Sequence, residues 1–525
     1  MGAFKRYPPE IFQDIVESLV VMIGIQKAVL LRAVCREFDK AILHAICASQ
    51  VVDMNDPVTP NLARRMHPRL RGKIILRKSK SASISSEPYL RVVSKICQAF
   101  ERLCPGLDDQ LLLSRNESVA AAVKMDGVGV IDGPIETQNL LSAACIVGDR
   151  TMLELVLRSE DCTTDVAGIN GFTTYFDNCL TVAAMGGYVD LVLFLLDQGA
   201  ESQQELPSWK QHSLIQTQAD WAGQDHYRQR ACLFKRDPSP LRAATSAGHT
   251  EIVHILLEPS TRMPENSLEY LRVALAAARA GRLDLIDAVF AAIGKCIRDF
   301  EFLENEMMWE AIRGNRLNVV EMLLDQGADP NALPYPSSRG NRGALPLAAS
   351  LGRFSIIQLL IERGGDVNHY SLNDLDGSPI AGAAAHGQEE AVTLLLHHGA
   401  DPESALHSAA RNAQPRVIRL LLQRCPELVT RDDGRLLHIV FALSLTVCNL
   451  TALTLLVEAG VDPNYDVGFG LPVDYAKAEL PPFVLNHLIS LGAQDTESEA
   501  VAAEYPYTRR DIQLSERTWE WLSRY

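Results

Sequence analysis

A short sentence of residues recurs along this chain, and few folds can accommodate it. Ser239–Glu258 reads SPLRAATSAGHTEIVHILLE, Ala344–Asn368 reads ALPLAASLGRFSIIQLLIERGGDVN, and Asp376–Pro402 reads DGSPIAGAAAHGQEEAVTLLLHHGADP. Each copy has a pair of small residues, a Gly three residues later, and a run ending in two or three aliphatics. A Gly-Ala-Asp-Pro stretch often follows. A unit this short cannot bury its own apolar face and must stack on copies of itself. The sequence therefore predicts an all-α solenoid, and a chain that binds proteins rather than one that catalyses.

The Gly between the two predicted helices sets the register. It falls at Gly148, Gly187, Gly248, Gly281, Gly314, Gly352 and Gly387, and Ala413 takes its place in the next copy. The preceding pairs include Ala183-Ala184, Ala244-Thr245, Ala277-Ala278, Ala348-Ala349, Ala383-Ala384 and Ala409-Ala410. Small side chains let antiparallel helices approach closely, and a Gly can end the first helix in a left-handed conformation at least cost. The second helix carries an apolar stripe, as in Ile252, Val253, Ile255, Leu256 and Leu257. A second Gly then leads into Asp329-Pro330-Asn331, Asp366-Val367-Asn368 or Asp462-Pro463-Asn464, which suit a turn into a projecting loop.

This pattern resembles the ankyrin repeat. The Ser/Thr-Pro-Leu-His opening of that family survives in fragments: Ser239-Pro240-Leu241, Ser378-Pro379-Ile380, Leu406-His407 and Leu437-His438. About nine units fit between Asn139 and Gln494, the last two irregular: Asp433 to Asn464 lacks the central Gly, and Gly470 to Gln494 has Pro481-Pro482 there. The resemblance implies a curved array whose concave face, made of inner helices and loop tips, holds a protein substrate.

A different pattern precedes the repeats. In Tyr7 to Leu43, Pro8-Pro9 can open a helix at Glu10, and a second helix carries Leu30, Leu31, Val34, Cys35 and Phe38. Pro9-Glu10 and Val34-Cys35-Arg36-Glu37-Phe38 resemble the F-box, with Pro8 where that motif usually has Leu. The resemblance implies docking onto the adaptor of a cullin–RING (SCF-type) ubiquitin ligase, through Pro9, Ile11, Leu19, Leu31, Val34 and Phe38. A bland alternative stands beside it, in which these helices only cap the N-terminal end of the solenoid. The expected organisation is an F-box-like helical domain at 1–50, a helical linker with a basic stretch at 51–135, the repeat array at 136–495, and a capping segment or tail at 496–525. In the last, Ser515 can cap a helix carrying Trp519, Trp521 and Leu522.

The rest of the sequence argues against chemistry. Fifty basic residues against 65 acidic ones give a formal net charge of −15, a poor balance for nucleic acid. The 11 cysteines form no CxxC pair and no zinc spacing, so they read as small buried hydrophobes in a reducing compartment. No P-loop, GxSxG elbow or HExxH occurs. His249 sits in a Gly-His turn, and His397-His398 ends a helix. No enzyme, cofactor or metal is expected. The most apolar early run, Leu19 to Ile25, is short for a signal peptide, and no stretch approaches the roughly 20 apolar residues of a membrane helix. A cytoplasmic or nuclear protein is expected. The basic run Arg64, Arg65, Arg69, Arg71, Lys73, Arg77, Lys78 and Lys80 suits nuclear import, or a solvated surface balanced by acids elsewhere.

One connection is far longer than its counterparts. The insertion at 201–236 carries Trp209, Trp221, Tyr227 and Arg228, residue types that dominate interface hot spots. A shorter extension adds Tyr335, Arg339 and Arg342 at the equivalent position. Insertions in repeat arrays map to one face, often the binding face. These seven residues are the candidate partner contacts, unless the aromatics simply pack on the array.

Overall fold

A computed structural model describes residues 13, 16, 20, 41–42, 68–80, 88–124, 133–159, 169–171, 175–202, 239–265, 267–300, 303–331, 343–368, 377–466 and 471–494. The described residues form helices and turns, and no strand. Two compact units divide the chain: residues 1–277 with 284–295, and 278–283 with 296–525.

The first unit begins with α1 (Pro68–Ser79), α2 (Pro88–Leu103) and α3 (Asp109–Ala122). The period of apolar residues in α2 buries Tyr89, Leu90, Val92, Val93, Ile96, Cys97, Ala99 and Phe100. Helix pairs follow: α4 (Gly133–Val147) with α5 (Arg150–Arg158), α6 (Cys179–Gly186) with α7 (Val189–Asp197), and α8 (Pro240–Ala247) with α9 (Thr250–Leu257). The last pair is α10 (Glu269–Ala280) and α11 (Leu283–Ile293). Of the N-terminal motif, the structure describes Gln13, Val16, Val20, Ala41 and Ile42, all helical. The four apolar ones are buried, and Gln13 Nε2 donates to Ala41 O at 3.1 Å.

The second unit continues with α12 (Leu303–Gly314) and α13 (Leu317–Asp325), α14 (Ala344–Ser350) and α15 (Phe354–Glu362), and α16 (Pro379–Ala385) and α17 (Glu389–His397). Next come α18 (Pro402–Arg411) and α19 (Pro415–Arg424), then the one-turn α20 (Glu427–Thr430). It closes with α21 (Arg435–Thr446) and α22 (Leu450–Glu458), and α23 (Pro472–Glu479) and α24 (Pro482–Ser490). First helices of successive pairs pack side by side, as α14 on α16 and α16 on α18. Small residues make this possible: Ala348, Ala349, Ala383, Ala384, Ala409 and Ala410 are completely buried. The N-termini are set by short polar caps. Ser239, Ser378 and Asp401 each accept a backbone N–H with their side-chain oxygen, and a proline follows each as the first helical residue.

The turn between the helices of a pair needs one left-handed residue. Gly187, with φ of 78°, is the plain case. Ala413 fills this role at φ 53°, as its place in the pattern predicts. Two positions differ from the sequence reading. Gly314 is the last residue of α12, and the left-handed residue is Asn315, with φ of 57°. Asn tolerates this conformation through its short polar side chain, so the register shifts by one. In the unit without a central Gly, Cys448 takes the position at φ 54°.

Two hydrogen-bond ladders clasp the pairs together, one at each edge. At the turn edge, the side chain just after the left-handed residue reaches back to a carbonyl of the preceding first helix. Tyr188 Oη donates to Ile146 O, at 3.4 Å, and His249 Nε2 lies 3.1 Å from Met185 O. In the second unit Arg316 Nε donates to Arg279 O (3.1 Å), Arg353 to Arg313 O (3.3 Å) and Gln414 to Ala385 O (3.3 Å). Each acceptor is a carbonyl at the end of a helix, otherwise short of a partner. At the loop edge an Asn reaches forward. Asn331 donates to Gly364 O and accepts from Asp366 N, and Asn368 does the same with Gly399 O (3.1 Å) and Asp401 N (3.0 Å). Asn464 repeats this with Gly492 and Gln494, and Asn170 with Gly199 and Glu201. Asn368→Ala is expected to lower stability by about 1–2 kcal/mol, the worth of two such bonds. A urea titration will read it as a lower midpoint with the slope unchanged.

Leu437-His438 does not stand in register with Leu406-His407. His407 lies six residues before its left-handed residue, His438 ten before Cys448. His438 instead belongs to the loop-edge ladder. Its Nε2 accepts from Asp462 N at 3.3 Å, and its ring lies 4.0 Å from that of Tyr465.

Candidate interaction surface

The residues singled out for ligase docking (Pro9, Ile11, Leu19, Leu31, Val34, Phe38) lie outside the described residues. So do Trp209, Trp221, Tyr227, Arg228, Tyr335, Arg339 and Arg342, and the C-terminal helix around Trp519. Arg64 and Arg65 of the basic run are outside them too; Arg69, Arg71, Lys73, Arg77 and Lys78 lie on α1.

What the described residues bring together is a charged strip on the first helices. In the second unit Glu310 of α12 is buried and lies between two arginines. Arg279 Nη1 is 3.4 Å from its Oε2, and Arg313 Nη1 3.2 Å from its Oε1. The Arg313 guanidinium stands 5.3 Å from the centre of the Trp309 ring. Trp309 is itself 7% exposed, and its indole Nε1 finds no hydrogen-bond acceptor among the described residues. The arrangement holds the arginines by a desolvated carboxylate and an aromatic face while leaving their outer faces in solvent. In the first unit Glu269 of α10 is the buried acid, 2.6 Å from Arg272 and 3.6 Å from Arg242. On α18, burial, then the nearby Arg411, pulls the His407 imidazole below its usual range.

Two buried thiols are held in their protonated form. Burial pushes Cys97 up to about 12, and burial with the neighbouring Cys179 raises Cys145 well above the ordinary thiol value. Among the described residues no group of three or more His, Cys, Asp or Glu side chains could hold a metal ion. No described helix is long and apolar enough to cross a membrane.

Sequence reasoning missed Trp309, Glu310 and the turn-edge arginines. Arg316 and Arg353 stand directly after their left-handed residues, a position that was readable. Trp309 and Glu310 lie just before the small-pair position, where the other copies carry pairs as different as Arg242-Ala243, Pro346-Leu347 and His407-Ser408, so the pattern does not mark them.

Residues 307–404 match the family model described as ankyrin repeats, in three copies. The chain is similar to the ankyrin repeat and KH domain-containing protein mask-1 of Caenorhabditis elegans, 26% identical over 250 residues, 47% of this chain and 8% of that protein. It is similar to the ankyrin repeat protein nuc-2 of Neurospora crassa, 27% identical over 425 residues, 77% of this chain and 34% of the relative. The chain thus spans well under half the length of either. Among solved structures it aligns with the human ASB11 ankyrin repeat domain at 17% identity and a TM-score of 0.31, covering 49% of this chain and all of that one. The repeats are ankyrin repeats, and such repeats form a protein–protein interaction module.

Proposed function

We propose that this chain is the substrate-selecting subunit of a cullin–RING ubiquitin ligase of the SCF type. Its ankyrin repeats hold a protein substrate, and its first residues bring that substrate to the ligase adaptor. The observation that supports the second half is the F-box-like run Pro9-Glu10 and Val34-Cys35-Arg36-Glu37-Phe38. The first half is supported by stacked helix pairs whose outward side chains are free to vary while small residues hold the scaffold. Substrate contacts are proposed for Trp209, Trp221, Tyr227 and Arg228 on the insertion, and for Tyr335, Arg339 and Arg342 on the shorter extension. This is adaptor work, with no bond made or broken by the chain itself.

The test is capture of the purified ligase adaptor with its cullin. The whole chain should retain the adaptor at micromolar concentration. The chain lacking Pro8 to Leu43 should lose it while keeping its helical circular dichroism and melting temperature. Failure of the whole chain to bind would reduce the N-terminal helices to a cap and the protein to a scaffold. Trp221→Ala and Tyr335→Ala should weaken substrate capture with melting unchanged. If both leave capture intact, the binding face lies elsewhere.

A further inference from the structure

At the turn edge of the second unit, the two arginines of the first-helix strip are joined by two more. Arg279, Arg313, Arg316 and Arg353 follow one another along three successive turns, tied by the backward hydrogen bonds from Arg316 to Arg279 O and from Arg353 to Arg313 O. These bonds fix the arginine stems, and Arg279, Arg313 and Arg316 remain exposed. The carboxylate between Arg279 and Arg313 is Glu310. Four guanidiniums gathered on one edge are out of keeping with a chain whose formal net charge is −15.

Apolar side chains stand among them. Leu317, Leu351 and Phe354 are 40%, 36% and 45% exposed, and they occupy the same two turns as Arg316 and Arg353. Each leaves more than a third of its surface in solvent, and apolar surface gathered beside charges marks an interaction site. The surface is bounded. At the next turn Gln388 stands in the arginine position, and the exposed Glu389 and Glu390 follow it.

We propose that this edge docks an acidic protein segment in which carboxylates alternate with large apolar side chains. Arg279, Arg313, Arg316 and Arg353 supply charge complementarity, and guanidiniums pair with carboxylates through two parallel hydrogen bonds. Leu317, Leu351 and Phe354 supply the apolar half. A nucleic acid backbone would use the arginines and leave these three in water. The proposal rests on the repeats being a protein-binding array and is independent of ligase docking. Adaptor capture and segment binding are measured separately on the same whole chain, so the failure of one is distinguishable from the failure of the other.

The experiment is fluorescence anisotropy with the whole chain and three labelled probes of equal length: a Glu-Glu-Leu-Phe repeat peptide, an all-glutamate peptide, and a single-stranded oligonucleotide. The mixed peptide should bind about tenfold more tightly than the other two, and weaken as salt screens the arginines. The double substitution Arg316→Glu, Arg353→Glu should weaken it at least about tenfold. Because those side chains also clasp neighbouring turns, a second variant, Leu317→Ser, Phe354→Ser, leaves both arginine clasps in place. It should keep the melting temperature and bring the mixed peptide down to the affinity of the all-glutamate one. The proposal is overturned if the mixed peptide does not bind, if the oligonucleotide binds as tightly, or if the Leu317→Ser, Phe354→Ser variant retains full affinity.

Discussion

Leu421→Asp is expected to unfold the repeats around it. Leu421 lies on α19 with Val417 and Ile418, and all three are completely buried. Truncating such a leucine to alanine alone costs about 2–5 kcal/mol. Aspartate removes the same apolar contacts and must also lose its hydration or take up a proton in the core. The expected loss is therefore about 4 kcal/mol or more, a large part of the 5–15 kcal/mol that holds a typical domain together. Circular dichroism on heating should show an early loss of helix, and limited proteolysis should cut within 402–424. A melting curve within a degree or two of the parent would mean that the α19 stripe is not core.

Gly314→Ala should destabilise in a place where helix propensity says the opposite. Alanine in a helix interior is normally favoured over glycine by about 1 kcal/mol. Gly314 ends α12 in ordinary helical backbone, so conformation gives no reason for the glycine. Packing does. A Cβ on Gly314 would lie 2.1 Å from Arg279 O and 2.9 Å from its carbonyl carbon, and a backbone carbonyl cannot swing aside as a side-chain tip can. The same oxygen accepts the Arg316 bond, so the methyl would pry apart the helix ends and break the clasp. The expected cost is about 3 kcal/mol, at the upper end of overpacking. Gly399→Ala is the control: its Cβ would meet open space, and only its φ of 84° is strained, which costs about 1–2 kcal/mol. A gain in stability for Gly314→Ala in chemical denaturation would show that the two helix ends are not in contact.

The contrast between these glycines shows where sequence was enough. The repeats were legible because the Ala pairs and turn glycines answer to sterics that every copy shares. Ala413 could be placed by spacing alone. Asn315 and Cys448 could not, because a left-handed residue can be any type whose modest strain the stacked neighbours absorb. His438 was drawn into the wrong register by a chance Leu-His, while its ring serves the loop edge. The turn-edge ladder left no motif: Tyr188, His249, Arg316, Arg353 and Gln414 share only a side chain long enough to reach a carbonyl two residues before the neighbouring turn. Function was less legible still, because specificity sits in outward side chains that the scaffold does not constrain.

The two ladders run in opposite directions, and this sets how the second unit comes apart. A repeat sends its Asn forward to the loop after it, and its turn side chain back to the helix end before it. When one repeat opens, it withdraws both at once, so the neighbour on each side loses a contact, at opposite edges. Fraying therefore spreads toward either terminus, and the cooperative element is larger than a single repeat. Hydrogen exchange across 343–424 should show neighbouring helix pairs opening together, with the amides of Asp366 and Asp401 released in step with the helices they adjoin.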